Sequence, residues 1–166
     1  MPNLQSGRER LAIHPSSAGL IAVLLLVAAF AFGAAADDTE FFANSGSRYA
    51  PIIQASEAAF MKREVEGSIE NLDEDYQLID IKDEGAVVRV HGIEAVRSAL
   101  GMMFASNVWI DSEVTRLALV DNMLVQIEHD TFKTEDGGQR TVSTLVVFEH
   151  RDGKRWREWR FIPVDR

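Results

Sequence analysis

The chain has 166 residues, 46% of them hydrophobic, and a formal net charge of −9. This length predicts one compact domain, and the acidic charge argues against nucleic-acid binding, which requires an excess of basic residues. The sequence contains no cysteine, which excludes disulfides, thiolate metal ligands and a cysteine nucleophile.

An apolar segment near the N-terminus indicates export. Arg8 and Arg10 precede the uncharged residues 18–36, which end in small alanines. A basic start, a short apolar run and small terminal residues are typical of a secretory signal peptide. The strongly apolar part is short for a membrane span. We therefore expect residues 1–36 to be a signal peptide and the mature domain to be periplasmic or secreted, away from the membrane. The alternative is an uncleaved N-terminal membrane anchor.

Helical patterns follow a polar stretch. Residues 37–47 are polar and contain glycine, so we expect a flexible leader there. Apolar residues then recur at helical spacing after Tyr49, with Pro51 near the first turn, where its missing N–H costs nothing. A second short helix is predicted around Val65, and a third over residues 93–104, where apolar side chains fall on one face.

The rest of the domain is predicted to be extended. Two short runs flank a Gly-containing turn, and after residue 107 the apolar periodicity changes to two, with turns between the runs. The predicted strands cover residues 76–81, 86–90, 109–120, 123–133, 141–150 and 154–162. Helices that precede an antiparallel meander predict an α+β domain over residues 48–166, with three helices on the concave face of a bent antiparallel sheet.

Two stretches resemble a known family. The segment HGIEAVRSALGMMF (91–104) is similar to the third-helix signature of the nuclear-transport-factor-2-like superfamily, and VVFEHRDGKRWREWRF (146–161) is similar to its last hairpin. The superfamily includes ketosteroid isomerases, SnoaL-like polyketide cyclases and limonene-epoxide hydrolases. The resemblance implies a cone-shaped α+β barrel of the cystatin-like/SnoaL-like type, a cavity for a small apolar or polycyclic molecule, and pairing as a homodimer.

The resemblance also implies candidate catalytic residues. Trp156-Arg157-Glu158 resembles the Trp-Arg-Asp of the epoxide hydrolases, whose carboxylate activates water, with Glu in place of Asp. Glu128 stands where those enzymes carry an Arg, so the cation that holds the epoxide oxygen is missing there. Asp80 lies near the position of the base Asp of the ketosteroid isomerases.

Two candidates have competing interpretations from their neighbours. Asp80 shares a strand face with Tyr76 and Leu78, so it is either a desolvated base or a solvated residue beside Lys82. His129 alternates with apolar residues and is either a cavity acid or base, or a core histidine.

The orientation of the strand that carries His129 stays open. The face opposite His129 holds Gln126, Glu128 and Asp130 and is interpreted as solvated or dimer-facing. The epoxide hydrolase pattern would turn that polar face inward instead.

The predicted site therefore has Asp80, His129 and Glu158 as titratable groups. Four further residues are expected to line the cavity, with Arg160 as an ion-pair partner of Glu158: Tyr76, Trp109, Trp156 and Arg160. The histidine spacing carries no metal signature and no phosphate-binding loop is present, so no cofactor is predicted. Three functions remain open: an isomerase, cyclase or hydrolase that uses acid–base chemistry, a non-catalytic binder of an apolar ligand, and a dimeric interaction module.

Overall fold

The computed structural model describes residues 36–162, which form four helices and six strands. The helices are α1 (Ala36–Ser45), α2 (Ala50–Met61), α3 (Val65–Ile69) and α4 (Ile93–Ser106). The strands are β1 (Leu72–Lys82), β2 (Gly85–His91), β3 (Trp109–Val120), β4 (Met123–Lys133), β5 (Gln139–Arg151) and β6 (Lys154–Phe161). Apart from Ala36, the predicted signal peptide lies outside the described residues. No helix in the described part of the chain is long and apolar enough to cross a membrane.

The strands form a single curved sheet in the order β2-β1-β6-β5-β4-β3. All neighbours are antiparallel except β1 and β6, which are parallel because the last strand returns to the middle of the sheet and pairs with the first. The predicted α+β class with a bent sheet is confirmed. The sheet is mixed rather than wholly antiparallel, and a fourth helix accompanies the three that were predicted.

Turn residues set most of the strand boundaries. The bounds of β3 and β4 match the prediction, and Asp121, between them, has the positive φ of 51° that tight hairpin turns require. The strand β1 begins earlier than predicted. Its predicted start was residue 76, but Leu72 is fully buried and pairs with Arg155 of β6.

The N-terminal helix α1 is the second departure from the prediction. Residues 37–47 were expected to be a flexible leader, but the structure places a helix over Ala36–Ser45. Its Phe42 side chain is only 5% exposed and packs in the core. The buried ring stabilises a segment whose average polarity predicts no structure. The helix ends just before Gly46, which has a φ of +62°.

Two apolar cores lie on the inner face of the sheet, one toward each end of the strands. The first core packs under α3 and α4 and includes Phe60, Leu72, Leu78, Leu100, Met103, Trp109 and Phe132. The second packs under α1 and α2 and includes Phe42, Tyr49, Ile53, Leu119, Leu124, Val146 and Phe148. Along β4, Leu124 belongs to the second core and Phe132 to the first. The inward residues between them are polar, and this segment carries the candidate site.

Candidate functional site

A belt of polar side chains fills the inner face between the two apolar cores. We call it the interior polar band and define it by twelve buried side chains: Glu57, Tyr76, Asp80, Ser112, Arg116, Gln126, Glu128, Asp130, Thr144, Arg155, Glu158 and Arg160. One member comes from α2 and the rest from every strand except β2. Polar groups buried in such number need hydrogen-bond partners inside the fold.

The alternation of β4 decides which of its faces lies inside. Gln126, Glu128 and Asp130 are at most 1% exposed and point inward, whereas His129 lies on the outer face. The interpretation of these three polar residues as solvated or dimer-facing is therefore wrong. The inward orientation is the one that the epoxide hydrolase pattern implied.

Tyr76 and Glu158 join the neighbouring strands β1 and β6 inside the band. The Tyr76 hydroxyl donates a hydrogen bond to Glu158 Oε2 at 2.5 Å, and both residues are fully buried. Burial raises the pKa of Glu158 to about 7, against the charge of Arg160 and the Tyr76 hydrogen bond, which lower it. Burial also raises the pKa of Tyr76 well above its usual value. Glu158 can therefore gain or lose a proton near neutral pH.

Arg160 and Asp130 form a second pair in the band. Arg160 Nη2 lies 4.0 Å from Asp130 Oδ2, and both side chains are almost completely buried. Burial raises the pKa of Asp130 to about 7, and the charge of Arg160 opposes that rise. Arg160 was predicted to pair with Glu158. It pairs with Asp130, while its charge also acts on Glu158.

The environment of Glu128 favours the neutral form of its carboxyl group. Burial raises its pKa well above the usual range, and the charges of Asp130 and Glu158 raise it further. Gln126 Nε2 donates to Glu128 Oε1 at 2.8 Å. Since like charges in one buried space cannot all ionise, we assign Glu128 as the protonated member of this group at neutral pH.

A chain of contacts links Glu128 to the helices. The Arg116 guanidinium donates to Gln126 Oε1 through Nη1 and to Glu57 Oε2 through Nη2, the second at 2.7 Å. Glu57, on α2, is only 6% exposed although it is a charged residue type. Burial raises the pKa of Glu57 to about 8, and the charge of Arg116 opposes the shift.

Asp80 lies at the β2 side of the band. Its side chain is 7% exposed, and Arg89 Nε from β2 lies 3.2 Å from Asp80 Oδ2. The register places Asp80 beside Arg160 of β6. The competing interpretation of Asp80 as a solvated residue beside Lys82 does not hold, since the carboxylate is buried and paired.

Several carboxyl oxygens of the band have no hydrogen-bond partner among the described residues. They are Glu57 Oε1, Glu128 Oε2 and Glu158 Oε1, each with almost no exposed surface. A buried polar atom without a partner costs about 1–3 kcal/mol. The band therefore has hydrogen-bonding capacity that water or a polar group of a ligand would satisfy.

The predicted site residues divide into those inside the band and those outside it. Tyr76, Asp80, Glu158 and Arg160 come together on neighbouring strands β1 and β6, and Trp109 is buried in the first core. The two remaining predicted residues, His129 and Trp156, do not lie with them.

His129 and Trp156 lie apart from the band. His129 is on the outer face, where Ser143 Oγ lies 2.8 Å from its Nδ1. Trp156 is half-buried, with the guanidinium groups of Arg151 and Arg157 at 4.4 and 3.6 Å from its ring centre. Neither side chain faces the titratable groups of the band.

The residues that sequence reasoning missed are mainly inward polar groups: Glu57, Ser112, Arg116, Gln126, Glu128, Asp130, Thr144 and Arg155. For Glu128 and Asp130 the signal in the sequence was the resemblance of Glu128-His129-Asp130 to the epoxide hydrolase pattern. Within residues 36–162, no group of three or more His, Asp or Glu side chains is arranged to hold a metal ion.

Comparisons with known proteins show which solved structures have a fold similar to that of this chain. No family model matches the chain, and no curated protein matches it. An NTF2-like protein from Burkholderia pseudomallei is similar at 14% identity and a TM-score of 0.54, covering 69% of this chain and 90% of that one.

Two further solved structures have the same fold. A candidate polyketide cyclase from Xanthomonas campestris matches at 18% identity and a TM-score of 0.50, covering 70% of this chain and 90% of that one. A Mycobacterium tuberculosis protein in complex with estradiol-17β-hemisuccinate matches at 16% identity and a TM-score of 0.51, covering 68% and 91%. The chain thus has the α+β fold of the NTF2-like, SnoaL-like and cystatin-like proteins.

Proposed function

We propose that this protein binds a small apolar molecule at the interior polar band and transfers a proton to or from it. The observation that carries the proposal is the buried carboxyl set Glu128, Asp130 and Glu158, which lies between two apolar cores. Within this set Glu158 accepts a hydrogen bond from Tyr76. A catalyst of this kind needs a base whose pKa is near the working pH and donors for developing charge.

The residues of the band fit distinct roles. Glu158, with a pKa raised to about 7 by burial, serves as the proton acceptor or donor. Tyr76 and protonated Glu128 supply neutral donors to a developing oxyanion, and Arg160 supplies a buried cation beside Asp130. The β4 position of the epoxide hydrolase Arg is Glu128 here, so Arg160 would provide that charge from β6. The reaction class is isomerisation, cyclisation or hydrolysis.

The substrate class follows from the walls of the band. Trp109 and Phe132 bound it on one side, and Leu124 and Phe148 on the other. An apolar or polycyclic body with one oxygen function would match such walls and donors. Among proteins of this fold, one structure contains a steroid hemisuccinate and another is a designed binder of 17-OHP. The alternative is that this chain binds such a molecule without turnover.

The test uses proton exchange, since no particular product is assumed. Wild-type protein is incubated in D2O with a 3-ketosteroid, and deuterium incorporation is followed by mass spectrometry. We expect exchange above the buffer rate and a loss of about 10²–10⁴-fold in Glu158→Gln. Glu149→Gln, on the neighbouring strand but the outer face, is the matched control.

Two results distinguish proton-transfer catalysis from binding without turnover. Exchange that is unchanged in Glu158→Gln would refute the catalytic assignment. Saturable binding of estradiol-17β-hemisuccinate without exchange of any substrate tested would support the non-catalytic binder instead.

The outer face of the sheet favours self-association as an additional role. A row of neighbouring residues, Thr115, Ile127, Leu145 and Phe161, crosses β3 to β6 on this face, and Leu145 and Phe161 are exposed. A largely apolar row on an exposed sheet face needs a cover, and a second copy of the same face would supply one. Sedimentation at micromolar concentration tests the homodimer, and a monomer there would refute it.

Export is proposed for the same chain from its N-terminal sequence. Residues 1–36 have the pattern of a signal peptide, which would place the domain in the periplasm or outside the cell. N-terminal sequencing of the protein recovered from that compartment tests it. A chain that still begins upstream of Ala36 would support the membrane-anchored alternative.

A further inference from the structure

The helix α1 contributes less apolar burial than α2 and α4, the two longest helices on the inner face. Among its described side chains Phe42 is buried and Phe41 is partly buried. By contrast α2 buries Ile53 and Phe60 completely, and α4 buries Leu100. Since apolar burial dominates the free energy of docking a helix, displacing α1 costs less than displacing α2 or α4.

This helix covers one end of the interior polar band. Asp38 Oδ1 of α1 lies 3.3 Å from Arg116 Nε, and the Arg116 guanidinium lies 5.0 Å from the ring centre of Phe42. The same guanidinium binds Glu57 and Gln126, so one side chain joins α1 to the band. The Arg116 side chain is 4% exposed while α1 is in place.

The connection after α1 is suited to act as a hinge. Gly46 has a φ of +62°, and no atom lies within 4 Å of the position that a Cβ would occupy. An open pocket of about 650 Å³ lies beside the connection, lined by Ser45, Gly46 and Ser47. A ten-residue helix is marginal in water on its own, so α1 would lose its structure once undocked.

We infer that α1 is a displaceable cover, and that its undocking opens the Arg116 end of the interior polar band to solvent and ligand. The role of the opening in ligand entry rests on the proposed function. The opening itself is a property of the fold and can be measured without a ligand.

The contacts of α1 determine how far a substitution shifts the equilibrium between docked and undocked α1. The closed state is held by the burial of Phe42 and by the Asp38–Arg116 ion pair. Burying a phenylalanine changes an opening equilibrium by roughly tenfold to a hundredfold. The ion pair, whose Asp38 is partly exposed, contributes a smaller factor, about two- to fivefold.

The test uses a single buried thiol as the reporter. The full chain has no cysteine, so Thr144→Cys introduces a unique one. Thr144 is 1% exposed and is the cross-strand neighbour of Glu128. Its alkylation by iodoacetamide is measured against urea concentration. Labelling through a local opening depends weakly on urea, whereas labelling through global unfolding depends on it strongly.

Two phenylalanine variants distinguish the cover from general destabilisation. In the Thr144→Cys background, Phe42→Ala is expected to raise the labelling rate without urea by roughly tenfold to a hundredfold, with weak urea dependence. Phe132→Ala, at a similarly buried ring in the other core, is the matched control. Its labelling rate should follow its global stability only.

A milder variant keeps the test decisive if Phe42→Ala does not fold. Asp38→Asn should raise the labelling rate by about two- to fivefold. Labelling that follows global unfolding in Phe42→Ala, or in Asp38→Asn if only that variant folds, would overturn the inference. Binding of estradiol-17β-hemisuccinate is scored separately. Opening without binding refutes the proposed function alone, and binding without an α1-dependent opening refutes the cover alone.

Discussion

Glu57 provides the sharpest test of how the interior polar band is charged. Two effects compete at its carboxyl: burial, which favours the neutral form, and the Arg116 hydrogen bond at 2.7 Å, which favours the charged form. Burial prevails and raises the pKa of Glu57 from 4.5 to about 8. We therefore predict that replacing Glu57 by Gln, a close mimic of the protonated side chain, stabilises the protein at alkaline pH.

The magnitude follows from proton linkage. A carboxyl whose folded pKa lies above its unfolded pKa contributes stability that is complete below about pH 4.5 and is lost as the pH rises through about 8. At about 1.4 kcal/mol per pH unit, wild-type protein should lose about 3 kcal/mol from this group between pH 5 and pH 7.5. The stability of Glu57→Gln should not fall in this way between pH 5 and pH 7.5, because its amide does not ionise.

Urea unfolding followed by tryptophan fluorescence, at several pH values from 5 to 8, measures the difference. We expect Glu57→Gln to be more stable than wild type by about 1 kcal/mol at pH 5 and by about 4 kcal/mol at pH 7.5. Glu135→Gln, at an exposed turn, should run parallel to wild type. A Glu57→Gln protein that is less stable than wild type at pH 7.5 would refute the reasoning, because it would mean that the ionised pair with Arg116 stabilises the fold.

Three further substitutions test other contacts. Tyr76→Phe leaves Glu158 Oε2 without its donor and should lower the free energy of unfolding by about 1–3 kcal/mol in urea titrations; no loss would contradict the hydrogen bond. Arg160→Met leaves Asp130 buried without its cation and should cost about 3–5 kcal/mol near pH 8, measured in the same way, and less near pH 5, where Asp130 is protonated; an equal cost at both would contradict the pair. Leu145→Lys, on the outer face, should change stability by less than about 0.5 kcal/mol and leave only monomer in sedimentation; a persistent dimer would exclude this face as the interface.

The strands were predictable from the sequence because two local signals agree there. Apolar alternation with period two and turn residues such as Asp121 define β3 and β4 to the residue. The segment Ala36–Ser45 lacks an equivalent signal. Its helix depends on one buried ring, Phe42, and the contact that buries this ring is made with residues distant in the sequence.

The candidate site was harder to predict because on β4 the polar residues, and not the apolar ones, face the interior. Its outward residues Val125 and Ile127 are apolar and half-buried, while Gln126 and Glu128 are polar and completely buried. A pattern that assigns apolar residues to the interior therefore selects the wrong face. The periodicity of β4 does not identify its polar face as the inner one, whereas the other strands, which bring Arg160 and Tyr76 to the same space, do.

A single extra residue in β6 determines which of its charges enter the interior. By strict alternation Arg155 and Glu158 would lie on opposite faces, since three positions separate them. The pairing with β5 skips Trp156, which makes this residue a bulge, and both Arg155 and Glu158 are consequently buried. Without the bulge, Trp156 would point inward and Arg155 would be lost from the interior. Burial raises the pKa of Glu57 and Glu158, and the charge of Arg155 is among the effects that lower it, so the ionisation of the band depends in part on this bulge.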